Sequence, residues 1–194
     1  MKYVLGIVFT LAVLGVGVLL FAWSGIYNVA ATKPHWGITL SLIEMLRDRS
    51  ISVRSDDVGE PDLDNAKLME AALTHYHEMC RLCHGAPDYQ PEEFAKGLYP
   101  HPPNMTSGHV QEERSRAEIY WIVKHGIKMA GMPAFGPTHS DPELYGLVTL
   151  TMEIPQRTPE EYRRQVQKMS SEGGHGRGSE SPAHGEADQG HHSH

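Results

Sequence analysis

The chain has 194 residues, a formal net charge of -7 and an aromatic content of 8%. That length suits one domain with appendages, and the acidic balance argues against a nucleic-acid partner, which selects basic patches. Aromatic side chains are few for a small domain, so a large buried cofactor would supply the missing apolar volume.

Tyr3 to Trp23 is an apolar run without a charge, about 21 residues long, which suffices to cross a bilayer as a helix. Lys2 precedes it, and Trp23 and Tyr27 follow it as interfacial aromatics. Residues 1–27 therefore read as an N-terminal signal-anchor. A cleaved signal peptide is the rival reading, with Val29-Ala30-Ala31 as its small-residue site, although its apolar core would be shorter, about 7–15 residues. Either way the rest of the chain lies outside the cytoplasm, in a periplasm or its equivalent. The retained form is a single-pass protein of the inner membrane.

Residues 28–61 form a connector. Within it Ile38, Leu42, Met45 and Leu46 recur at helical spacing, with Arg47, Asp48 and Arg49 after them, which predicts a short amphipathic helix. Such a helix lies on the membrane surface, packs on the following domain, or packs on a partner.

Residues 62–169 are the expected globular domain, all-α with long loops. A first helix runs from near Asn65 to Cys80, with Met69, Ala72, Leu73, Tyr76 and Met79 on one face. A second follows Ser115, which forms a capping-box pattern with Glu118, carries Ile119, Ile122 and Val123, and stops at Gly126. A third follows Ser140, with Pro142 in its first turn and Glu143 three residues on; it buries Leu144, Leu147 and Val148 and ends before Pro155. Thr158, Pro159 and Glu161 begin a fourth by the same logic. No strand alternation and no internal repeat is evident. Residues 170–194, rich in Gly, Ser, His and Glu, carry no apolar run and are expected to be disordered.

The two cysteines of the chain both lie in Cys80-Arg81-Leu82-Cys83-His84, the C-x-x-C-H pattern of covalent haem attachment. Two thiols at this spacing add to the two vinyl groups of one porphyrin as thioethers, and the adjacent imidazole falls under the iron as proximal ligand. A redox dithiol is the main competitor, but it wants a βαβ context that this sequence lacks. A structural zinc site would need about four ligands, and no second cysteine pair exists. One haem c, bound through Cys80, Cys83 and His84, is the expected cofactor.

An electron carrier holds its iron with a second axial ligand, and a thioether raises the potential. Met105, Met129 and Met132 are the downstream candidates. Met132 is preferred because it stands in Gly131-Met132-Pro133-Ala134-Phe135, where glycine permits close approach and proline stiffens the loop; Met129 is the alternative. His101, His109, His125 and His139 are further candidates, more often surface or loop residues. In the tail, His175, His184, His191, His192 and His194 offer imidazoles to a divalent metal such as copper, zinc or nickel, against which stands a plain solvated tail or a cloning remnant.

Taken together these residues resemble the class I c-type cytochromes, in particular the membrane-anchored bacterial monohaem type. The likeness runs from about Asn65 to Pro155 and rests on the attachment motif behind a helix, on Pro100-His101-Pro102-Pro103, on the Gly-Met-Pro-Ala-Phe loop and on the helix from Asp141 to Ile154. It implies the cytochrome c fold around one covalent haem, with the first and last helices of the domain crossed so that Tyr76 or Ala72 meets Leu144, Leu147 or a neighbour. It also implies that a backbone carbonyl of the proline loop, at Pro100, Pro102 or Pro103, accepts the proximal histidine's N–H. Pro102 and Pro103 are thereby marked as cofactor-binding positions. The implied function is electron transfer, without catalysis, between a quinol-oxidising complex and a terminal oxidase or reductase of a respiratory chain. A fixed haem subunit of such a complex or of a periplasmic dehydrogenase is the alternative. A haem sensor or enzyme with a labile distal site is a third, which the Gly-Met-Pro loop disfavours.

Overall fold

A computed structural model describes residues 1–56, 58 and 66–173. All regular structure among them is helical, and the sole β feature there is an isolated bridge between Ala86 and Tyr89. The absence of strand alternation in the sequence is matched by the absence of strands among the described residues.

Helix α1 (Lys2–Ser24) spans 23 residues, about 35 Å at the α-helical rise. It is apolar all round, buries nothing against the rest of the chain, and closes at Gly25 with φ 68°. A helix apolar on every face with no residue buried in the protein has lipid as its natural environment.

Helix α2 (Gly37–Ser55) is longer than the short helix expected, running through Arg47-Asp48-Arg49 to Ser55. Those charges face outward or pair, so they do not stop it. Of the placements open to it, packing on the domain is what its C-terminal half adopts. Ile51 is buried, Ser55 is buried with its hydroxyl donating to the Ser52 carbonyl, and Asp48 pairs with Arg114.

Helix α3 (Ala66–His75) continues without a break into a π-helical turn (Tyr76–Cys80) and then α4 (Arg81–His84). The expected single α-helix is thus widened by one turn just before the attachment motif. Its predicted start at Asn65 lies outside the described residues. After α4 come 3-10 turns at Glu93–Gly97 and Met105–Ser107, then α5 (His109–Glu113). Helix α6 (Arg116–His125) begins with the predicted reciprocal cap: Ser115 Oγ accepts from Glu118 N–H at 3.2 Å and Glu118 accepts from Ser115 N–H at 2.9 Å. Helix α7 (Asp141–Glu153) has the same device at Ser140 and Glu143, and α8 (Pro159–Gly173) has it at Thr158 and Glu161.

The core sits where α3 crosses α7. Ala72, Tyr76, Leu144 and Leu147 share one buried cluster, as the resemblance implied, and α3 passes close over Gly146. A Cβ there would stand 3.1 Å from the Leu68 carbonyl oxygen and 3.3 Å from the Ala72 methyl, so the crossing depends on its absence. On α6, Ile119 and Tyr120 are buried, Tyr120 stacked on Tyr145 at 4.3 Å, whereas the expected Ile122 and Val123 stay half-buried. Helix α8 places Tyr162 in the core, against His77 and Tyr89, and continues to Gly173. Residues 170–173 therefore belong to a helix, which corrects the expected tail boundary at 170. The Val166 and Met169 side chains on the domain explain the extension. The remaining tail, 174–194, with all five of its candidate histidines, lies outside the described residues.

Candidate haem-binding site

The widened turn delivers Cys80, Cys83 and His84 to the end of one helical segment. The chain leaves it at Gly85, whose φ of 70° suits glycine. Tyr76, fully buried, donates from its hydroxyl to the Gly85 carbonyl at 2.9 Å and so ties the start of the π turn to the end of the motif. Ala86 and Tyr89 exchange two backbone hydrogen bonds of 2.9 and 2.8 Å, and Arg81 lies over the Tyr89 ring while pairing with Glu92. The motif is thus held from both sides.

Both cysteines are free thiols. Burial, aided by the neighbouring Cys83, pushes the Cys80 pKa up to about 12, and burial raises that of Cys83 as well. A redox dithiol works through a thiol of lowered pKa at an electropositive helix N-terminus. Here the thiols stand at the other end of a helix with the shift in the opposite direction.

His84 Nδ1 lies 2.8 Å from the Pro103 carbonyl oxygen. A carbonyl only accepts, so Nδ1 carries the proton and the Nε2 lone pair is left for a ligand bond. Burial lowers the imidazole's pKa, with the Pro103 bond acting in the opposite sense, which favours the neutral ring that a metal ligand must be. Among the three prolines marked in the sequence, the observed acceptor is Pro103; Pro102 precedes it in the same loop, which begins at the cis peptide Tyr99–Pro100. Asn104 steadies the far end by accepting from Thr106 N–H at 2.9 Å.

The Met132 loop folds back on the end of α6. Gly126, at φ 65°, has no room for a side chain: a Cβ would stand 2.8 Å from Met132 O, Pro133 C and Ala134 N. Ile127 N–H donates to the Met132 carbonyl at 3.2 Å, Phe135 N–H to Val123 at 3.1 Å and Gly136 N–H to Lys124 at 2.9 Å. Gly131 packs on Leu98, 3.0 Å from where its own Cβ would be. Leu98 leads directly into the Tyr99–Pro103 loop, so the loop bearing Met132 and the loop serving His84 abut. Leu98 carries this junction although nothing in its sequence context marks it. Met132 is half-buried, whereas Met129 is 98% exposed in a tight turn at φ 60°. Met105 packs against the core. Among the alternative histidines, His109 faces Glu113, His125 lies against Trp121, His139 bonds His75 at 3.3 Å, and His101 lies beside Tyr99.

These residues fit a haem. Two free thiols and a neutral imidazole with its outer nitrogen fixed end one helix, and a backbone-braced loop offers a thioether. Val123, Phe135 and Met105, packed against the core, and Leu98, beside Gly131, are apolar yet only partly buried, which leaves apolar surface for a flat apolar group to cover. A helix ending in this donor set, crossed by a second helix, in an all-helical domain, defines a c-type cytochrome. Consistent with that, residues 67–149 match the family model described as cytochrome c oxidase, cbb3-type, subunit III. The match supports a c-type cytochrome domain over residues 67–149, and this domain follows an apolar N-terminal helix that fits membrane anchoring. No curated protein and no solved structure matches it.

Proposed function

We propose that this protein is a monohaem electron carrier fixed in the inner membrane, its haem domain outside the cytoplasm, passing electrons between a quinol-oxidising complex and a terminal oxidase or reductase without performing catalysis itself. Cys80 and Cys83 would hold the haem as thioethers, and His84 Nε2 and the Met132 sulfur would bind its iron. The haem, when bound, supplies a one-electron couple with little change of geometry.

The residues do the rest. Pro103 orients the imidazole and keeps its proton on Nδ1, which raises the ligand basicity of Nε2. Gly126 and Gly131 let the Met132 loop approach closely, and Pro133 stiffens it. The partly buried Val123 and Phe135 exclude water from the ring, and burial of this kind raises the potential. The reading is carried by the His84–Pro103 hydrogen bond at the end of the C-x-x-C-H helix. It prepares one lone pair for a metal and has no use in a dithiol site.

A second reading, a fixed haem subunit of an oxidase complex, is favoured by the description of the matching family. Purification in mild detergent separates the two, since a subunit co-elutes stoichiometrically with a larger complex. The ligation is tested by optical spectra of the oxidised and reduced protein. A weak band of sulfur bound to ferric iron, at the near-infrared edge, is expected in the wild type and absent in Met132→Ala. High-spin ferric iron, or ready binding of carbon monoxide, in the wild type contradicts Met132 ligation and favours a sensor or enzyme.

A further inference from the structure

Helix α2 packs on the domain by one side and is apolar on the opposite one. At about 100° per residue, Ile51 and Ser55, which pack on the domain, lie on one side of the helix. Ile38, Leu42, Met45, Leu46 and Val53 fall together within a sector of about 100° on the other. Those five are 72%, 50%, 58%, 64% and 52% exposed. A surface helix needs one apolar stripe to hold it on its domain; the outward stripe is uncovered among the described residues.

The position of that stripe is fixed by a cluster of rings. Trp36, the residue that precedes α2, lies 5.9 Å from the Phe21 ring near the end of α1 and 5.1 Å edge-on from Tyr27. The Tyr27 hydroxyl is 2.7 Å from His35 Nδ1. His35 N–H donates in turn to the Tyr99 hydroxyl at 3.1 Å, with their rings 5.1 Å apart. The end of the membrane helix is therefore clasped both to the start of α2 and to the residue that opens the Pro100–Pro103 loop. Further along, Asp48 of α2 pairs with Arg114 ahead of α6.

We propose that the outward stripe of α2 lies in the lipid interface of the outer leaflet, so that the haem domain is seated on the bilayer rather than swinging from a tether. The inference rests on α1 being a retained anchor. Continuity selects lipid over other occupants. The stripe begins two residues after a tryptophan in contact with the membrane helix, and Trp23, Tyr27 and Trp36 are side chains that favour the interface. Arg49, the charged residue within the stripe, has the long stem that lets a guanidinium reach headgroups while its methylenes lie with Met45 and Val53. The consequence for electron transfer is that the proximal loop, clasped through Tyr99, keeps a set height above the membrane. Partners would meet this haem by lateral diffusion in the same plane.

The test is site-directed spin labelling of the full-length, haem-loaded protein in lipid nanodiscs, one label at a time at Leu42→Cys, Met45→Cys, Glu44→Cys and, within α1, Leu14→Cys. The protein without an added cysteine must take no label, its own thiols being bound. Labels at Leu42 and Met45 are expected to be several-fold more accessible to oxygen than to a water-soluble nickel chelate, with Glu44 the reverse. Free access of the chelate to Leu42 and Met45 overturns the proposal, since the face is then in water. Labels there that are immobile and shielded from both reagents also overturn it, since protein then covers the face. In either case a protected Leu14 leaves the anchor reading standing. A chelate-accessible Leu14 refutes the anchor itself, and the proposal with it.

Discussion

At the scale of single residues, the site depends on a few backbone positions as well as on its ligands' identities. Gly126 is the sharpest case, with φ at 65° and three backbone atoms of the Met132 loop 2.8 Å from any Cβ. Gly126→Ala should cost more than about 1 kcal/mol, through both the left-handed backbone and the clash. It should also weaken the sulfur–iron band, because the loop must retreat. Thermal unfolding and the ferric spectrum check the two effects separately. The proposed ligands could be named from the sequence because the motif is local: cysteines and histidine lie within five residues, and Met132 is bracketed by glycine and proline. Which proline carbonyl serves His84 was not legible. That choice depends on how the Pro100–Asn104 loop crosses the helix end, a tertiary path that no local pattern records. The packing of Gly131 on Leu98 escaped notice for the same reason.

At the scale of elements, the three capped helices were readable because a reciprocal cap is a contact between residues three apart. Two of the capping carboxylates are held below the usual range: Glu143 by the Ser140 hydroxyl and backbone N–H, Glu161 by the Thr158 backbone N–H and hydroxyl. Asp48 is lowered chiefly by Arg47, with Arg114 adding to it against the cost of burial. A carboxylate with a depressed folded pKa contributes stability above its unfolded value, about 4, and loses it as pH falls through the folded one. The melting temperature should therefore fall below about pH 4, and Glu143→Gln should lower it at neutral pH while flattening that acid limb. Circular dichroism melts across pH measure both.

The α3–α7 crossing makes a steric prediction. Gly146→Leu must force the helices apart where 3.1 Å separates a Cβ from the Leu68 carbonyl. It should destabilise by about 1–3 kcal/mol, as overpacking does, readable by denaturant titration. Leu144 and Leu147 were legible by periodicity, but Gly146 between them was not, since a glycine in a helix gives no signal of what passes over it. The π turn at Tyr76–Cys80 was hidden likewise, because apolar spacing does not report a hydrogen-bond register.

At the scale of the whole molecule, the chain couples an apolar helix to a haem domain through a connector that the sequence presented as a separate piece. Its helical pattern was visible, but not its length or its two-sided character. The buried side rests on Ile51, Ser55 and the Asp48–Arg114 pair, residues that sit in a charged, unremarkable stretch. The tail boundary was misplaced by four residues because Val166 and Met169 pack on the domain from within a polar sequence. The claim on which every scale rests is a single haem covalently bound through Cys80 and Cys83. An alkaline pyridine haemochrome spectrum of the purified protein, combined with an iron-to-protein ratio, tests it most directly. The account predicts the haemochrome of a haem with both vinyl groups saturated, one iron per chain, and haem that stays with the polypeptide after acid-acetone extraction. Haem that is extracted, or a haemochrome with one or both vinyl groups intact, would contradict it.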